Sequence, residues 1–275
     1  MADIKYITSL MERIAPQKIS DSLCQAYGAK DNGGLLLNPR PGRDIERVLC
    51  CLDITPNVAE EAADTGAGMI ICHHPFIYNP ISAIDAERPK GALISSLISV
   101  GIAVYASHLS LDGAKDGINY HFARECGISD SQILYSADAD GETGYMRAGA
   151  LKKSMSLKEF ALSLKALFGG TVRVCGRMDG TVSKAAVLNG GGGGEEYIAR
   201  AAAWGADVYV SGDFPLHAYH SAWAHNISLV EISHYNAEKF YIPHLVRTLN
   251  DFAREHGENL SFFESASEAQ PYTEL

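Results

Sequence analysis

Residues 68–76 read GMIICHHPF: a short apolar run ends in two adjacent histidines and is cut off by Pro75. A continuous run of this length, bounded by glycine and proline, predicts a strand buried on both faces, because a solvated face would impose alternation. Successive side chains of a strand point to opposite faces, so His73 and His74 are expected to look away from each other. Six more stretches have the same form: RVLCCLD (47–53), GIAVYASH (101–108), GTVRVCG (170–176), KAAVLNG (184–190), ADVYVSGD (206–213) and ISLVEISH (227–234).

Helical patterns separate most of these runs. TPNVAEEAADTG follows the first with Thr55 as N-cap and Pro56 at the first helical position. KGALISSLISVG, GINYHFARECG and GEEYIARAAAWG follow, and Gly66, Gly101, Gly127 and Gly205 fall where helices end. Alternating apolar strands and helices predict the α/β class: two α/β halves with mostly parallel sheets, their ligands at the carboxyl ends of the strands. The polar, strand-poor stretch 129–146 predicts the boundary, giving a first domain over 1–135 and a second over 136–275. The amphipathic segment 238–257 predicts a last helix, and the polar tail ASEAQPYTEL is expected to be poorly ordered.

At 275 residues and 47% apolar composition the chain can fill a large core. Its net charge of -10, with no basic cluster, excludes a nucleic-acid surface. Six cysteines without a CxxC pair predict a reducing compartment. No apolar run nears the ~20 residues of a membrane span, and no signal-peptide core is visible, so a cytoplasmic location is expected.

Five of the seven runs end in a metal-capable or acid/base residue: Asp53; His73 and His74; His108 with Asp112 four residues on; Asp213 with His217; and His234 with Glu238. Singly, each has an ordinary reading as a turn, a cap or a hydrogen-bonded core residue. Together at the same ends of parallel strands, they predict one crevice rich in imidazole and carboxylate. That donor set suits a catalytic Zn, Fe, Mn or similar ion rather than a thiolate zinc site. The donors outnumber the needs of one tetrahedral ion, which predicts two divalent ions sharing a carboxylate, ~3.5–4 Å apart. His121, His220, His225, His244 and His256 carry no such expectation.

VLNGGGGGEEY (187–197) places five glycines between a strand and a helix. Its amides can cradle a phosphate, or the run is simply a permissive turn; Glu195 and Glu196 repel an anion at the same helix start. No serine elbow or activated cysteine is visible, which disfavours covalent catalysis.

LDITPNVAEEA, MIICHHPFI, ASHLSLD, ADVYVSGDFPLH and ISHYNAEKF resemble, in order, the motifs of the dinuclear-metal-centre proteins, the GTP cyclohydrolase 1 type 2 homologues or NIF-three-like family. KDNGGLLL (30–37) resembles that family's N-terminal segment. The resemblance implies two interlinked α/β domains, that His73, His74, Asp112, His234 and Glu238 bind two metal ions, that His108 and His217 flank them as catalytic histidines, and that the chain self-associates into a homohexameric ring. This sequence departs from the family at Lys30, where a tryptophan is usual, at Leu109 and Ala237, where threonine is usual, and at Ser233 in place of glycine.

The function expected is a dinuclear metal-dependent hydrolase acting on a small molecule, a nucleotide by the resemblance. A metal-dependent phosphoesterase and a non-catalytic metal-binding or regulatory ring are the alternatives.

Overall fold

The computed structural model describes residues 2–273. The chain divides into two compact units, one formed by residues 1–111 with 241–271 and the other by 112–240 with 272–275.

Unit 1 opens with α1 (Ile4–Ile14) and α2 (Gln17–Tyr27), then β1 (Gly34–Leu37), β2 (Arg47–Cys51), α3 (Pro56–Asp64), β3 (Met69–Cys72), α4 (Pro89–Val100) and β4 (Ala103–Ala106). α5 (Leu109–Gly113) runs across the division. The second unit holds α6 (Ile118–Glu125), β5 (Gln132–Ser136), β6 (Gly144–Ser156), α7 (Leu157–Phe168), β7 (Arg173–Cys175), β8 (Thr181–Gly191), α8 (Glu195–Trp204), β9 (Val208–Gly212), α9 (Leu216–Ala224), β10 (Ser228–Glu231) and α10 (His234–Lys239). α11 (Ile242–Glu255) and β11 (Ser261–Glu264) complete unit 1.

All seven apolar runs are strands. The unit 1 sheet has the order β1-β4-β3-β2-β11, parallel except for edge strand β1. Leu49, Ile70 and Val104 pack on one face against Val58 of α3 and Leu97 of α4, while their neighbours Val48 and Met69 are equally buried on the other. Burial on both faces is what the unbroken apolar runs require. The unit 2 sheet has the order β5-β6-β8-β9-β10-β7, parallel through β8, β9 and β10 and antiparallel on both flanks. Val187, Val210 and Val230 face Phe122 of α6 and Phe160 and Leu164 of α7.

Two expectations change. The division falls at Leu111 rather than inside 129–146, and that polar stretch pairs instead as β5 with the start of β6. β5 is an edge strand with only Tyr135 fully buried, and the buried start of β6 carries Gly144, Arg147 and Gly149, so neither has the apolar run of a central strand. The polar tail is also held at its start, as far as Glu268. Glu61 of α3 accepts from the Ser265 and Ser267 hydroxyls and the Ala266 and Ser267 amides, and Glu268 accepts from the Leu52 and Asp53 amides at 2.7 Å each. No helix among the described residues is long and apolar enough to cross a membrane.

Candidate metal centre

In unit 1, strand β3 stops at Cys72, before the histidine pair. The consecutive amides of His73 and His74 donate to the consecutive carbonyls of Cys51 and Leu52, at 3.0 and 2.9 Å. A parallel ladder sends successive amides to opposite neighbours, so the backbone has turned out of the strand here. The two rings therefore do not point apart: their centroids are 4.9 Å from each other, and that of His108 is 5.2 and 6.0 Å away. Each of His73 and His74 offers a ring nitrogen within 4.8 Å of the other's.

Each ring is fixed through Nδ1. His73 Nδ1 faces the Ser107 carbonyl at 2.9 Å, His74 Nδ1 the Asp53 carboxylate at 3.0 Å, and His108 Nδ1 the Asp31 carboxylate at 2.9 Å. A carbonyl only accepts, so His73 carries its proton on Nδ1 and, when neutral, its lone pair on Nε2. Asp31 is itself anchored by the Ser20 hydroxyl and the Asn32 amide. Burial pushes its carboxyl up, but the bond and charge of His108 with those two donors outweigh it and hold the group below the usual range.

In unit 2, the carboxylates gather around Asn189. The Asn189 side-chain amide donates to Asp112 Oδ1 at 2.7 Å and Glu238 Oε1 at 3.2 Å, while its backbone amide is held by Asn119 Oδ1 at 3.0 Å. All four side chains are buried. Glu238 Oε1 is 3.2 Å from His234 Nε2, as spacing i, i+4 on α10 allows, and His234 Nδ1 meets the Asp213 carboxylate at 2.7 Å. Ser233 caps α10 by accepting from the Asn236 amide, so this serine starts the helix carrying both donors. Asp213, just past β9, has φ +54°, a left-handed conformation that aspartate tolerates better than most residues.

The glycine run serves this arrangement. Gly190 has φ +66°, and a Cβ there would collide with Glu238 Oε1. The Gly192 amide turns inward to the Ser211 hydroxyl. The permissive turn is thus the use the structure makes of these glycines.

Of the predicted residues, His73, His74 and His108 come together in unit 1, and Asp112, His234 and Glu238 in unit 2. His217 is exposed on the first turn of α9, and its neighbour Asp213 pairs with His234 instead. Sequence reasoning missed Asp31 and Asn189. Asp31 lies inside KDNGGLLL, which the family resemblance had already marked out. Asn189 had no signal beyond its place at a strand end.

The donor set fits divalent metal. Four imidazoles are each oriented through Nδ1 by a carboxylate or carbonyl, the arrangement that presents Nε2 to a cation, and two buried carboxyl groups a single amide apart add oxygen donors that a divalent ion accepts. The description Duf34/NIF3 (NGG1p interacting factor 3) matches residues 2–271. The chain belongs to the DUF34/NIF3 family. Among family members, the GTP cyclohydrolase 1 type 2 homolog of Clostridium acetobutylicum is 29% identical over 271 residues, covering 98% of this chain and 97% of that one. The NIF3 homolog of Schizosaccharomyces pombe is 30% identical over 285 residues, covering 98% of each chain. The structure of a Bacillus cereus protein related to NIF3 shares the fold, with a TM-score of 0.89 at 24% identity over 100% of this chain and 99% of that one.

Proposed function

We propose that this protein is a metal-dependent hydrolase, with opening of a guanine nucleotide's ring by water as the leading reaction. The observation that carries the proposal is the set of oriented imidazoles: His73, His74, His108 and His234 each have Nδ1 held by a carbonyl or carboxylate oxygen. The substrate class comes from the name carried by relatives such as the Clostridium acetobutylicum protein.

His73, His74, Asp112, His234 and Glu238 would hold two divalent ions. Bound ions of this kind lower the pKa of water and polarise the bond under attack. Asn189 sets the spacing of the two carboxylates. Asp53 and Asp213 fix the tautomers of His74 and His234. His108, backed by Asp31, is the proton carrier, because its ring is held in one orientation by that carboxylate. His217, exposed on α9, is the second proposed proton carrier.

Elemental analysis of protein purified without a chelating tag, followed by GTP and phosphodiester assays with each metal, tests the reading. We expect about two metals per chain, lost in the double variant His74→Ala, Glu238→Ala, and turnover of GTP. Less than one metal per chain, unchanged in the double variant, would sink the metal centre. Stoichiometric metal with neither substrate turned over would leave a metal-binding protein, and phosphodiester turnover alone would leave a phosphoesterase.

A further inference from the structure

One row of the unit 2 sheet runs Ile133, Arg147, Val187, Val210, Val230 across strands β5, β6, β8, β9 and β10. Directly paired residues share a face, and on this face the three valines pack under α6 and α7. An arginine therefore occupies a position in an otherwise aliphatic row. It is only 5% exposed. Its Nη1 donates to the Ser131 hydroxyl at 3.4 Å, and Nε has no hydrogen-bond partner. Among the described residues no carboxylate forms an ion pair with it. Burying a cation without a counter-charge is costly, and native chains retain such groups where something else supplies the charge.

That something has a place to sit. Arg147 lines a cavity of 460 Å³ with Lys115, Tyr120, Ser131, Gln132, Ile133, Gly141 and Glu142. This is the size range of small-molecule pockets, well beyond a single water. The Tyr120 ring has the Arg147 guanidinium 5.3 Å away and that of Arg124 5.6 Å away. Glu142, the carboxylate at the mouth, is paired with Lys115 at 3.0 Å, so it does not neutralise the arginine. Arg147, Ser131 and Lys115 thus put three side chains with hydrogen-bond donors along the lining of one space.

We propose that this cavity is an anion-binding site, which takes the phosphate group of a small molecule on Arg147. A phosphate has three terminal oxygens and accepts two parallel bonds from a guanidinium, with further donors for the remainder. The site is built wholly from unit 2 residues and uses none of the metal-donor residues.

The test is titration calorimetry on full-length protein, stripped of divalent ions with a chelator so that phosphate cannot bind through a metal. Inorganic phosphate and glycerol 3-phosphate are the probes, and the tighter of the two separates a free ion from an esterified one. Wild type is expected to bind in the micromolar to millimolar range. Arg147→Lys should weaken binding at least tenfold, because a point charge cannot reproduce the two-pronged contact, and Arg147→Met should abolish it. A thermal melt separates this from a purely structural role: without phosphate, Arg147→Met should melt no lower than wild type, since an unpaired buried charge is removed, and only wild type should gain stability from phosphate. Absence of binding to wild type, or equal binding in all three proteins, overturns the proposal. Should Arg147→Met fail to fold, the soluble Arg147→Lys and the exposed-rim variant Lys115→Ser decide it. Unchanged affinity in both overturns it, and weakened affinity in Arg147→Lys upholds it.

Discussion

Asn189 is the residue on which the unit 2 donors depend, and its role follows from what an amide can do. One NH2 group has two hydrogens, and here they go to two carboxylates that would otherwise repel. Replacing it with alanine removes both bonds but keeps the β8 backbone, so Asn189→Ala is expected to fold and to lose about 10–100-fold in metal affinity, the range typical of groups that orient ligands. Competition against a chromophoric chelator measures it; unchanged affinity would remove Asn189 from the site. Residues of this kind are hard to read in a sequence. The strand-end histidines and carboxylates were legible because a parallel sheet puts strand ends together. Asp31 and Asn189 act through hydrogen bonds to partners far along the chain, Asp31 to His108 and Asn189 to Asp112, and no spacing announces them.

At the scale of elements, the end of β8 and the C-terminus of α8 show two kinds of glycine constraint. Gly190 and Gly205 both have positive φ, but a Cβ on Gly205 meets open space while one on Gly190 strikes Glu238. Gly205→Ala should cost only backbone strain, about 1 kcal/mol by denaturant titration. Gly190→Ala should cost more and, unlike Gly205→Ala, should reduce bound metal, because Glu238 must move. Equal behaviour of the two variants would contradict the role given to Gly190. The elements themselves were legible where burial on both faces leaves an unbroken apolar run, as in β2, β3, β4, β9 and β10. β5 was not, because only Ile133 to Tyr135 are apolar between its polar ends Gln132 and Ser136. The direction of His73 and His74 was not legible either, since it depends on the strand ending one residue before the pair.

At the scale of the molecule, the C-terminal tail closes unit 1 instead of trailing from it. Burial would raise the Glu61 carboxyl, but two serine hydroxyls and two tail amides hold it down at about 2, below its ordinary 4.5. A depressed folded-state pKa contributes stability above the unfolded value, and that contribution fades as pH falls from about 4.5 toward 2. Glu61→Gln should therefore lower the melting temperature at neutral pH, and its gap to wild type should close as the pH drops through that window. A gap that stays constant with pH would refute the latch. Composition suggested a loose tail because serine and glutamate favour solvent, and only the fold shows Glu61 standing opposite those serines.

The pairing of Ser261 in β11 with Arg47 in β2 also bears on how the chain is made. Every strand of the unit 2 sheet lies between Gln132 and Glu231, whereas the unit 1 sheet needs an edge strand from near the carboxyl end. During synthesis, domains fold as units when their segments have emerged. On the ribosome, then, the middle of this chain can finish its sheet first, and the part translated earliest must wait for the part translated last.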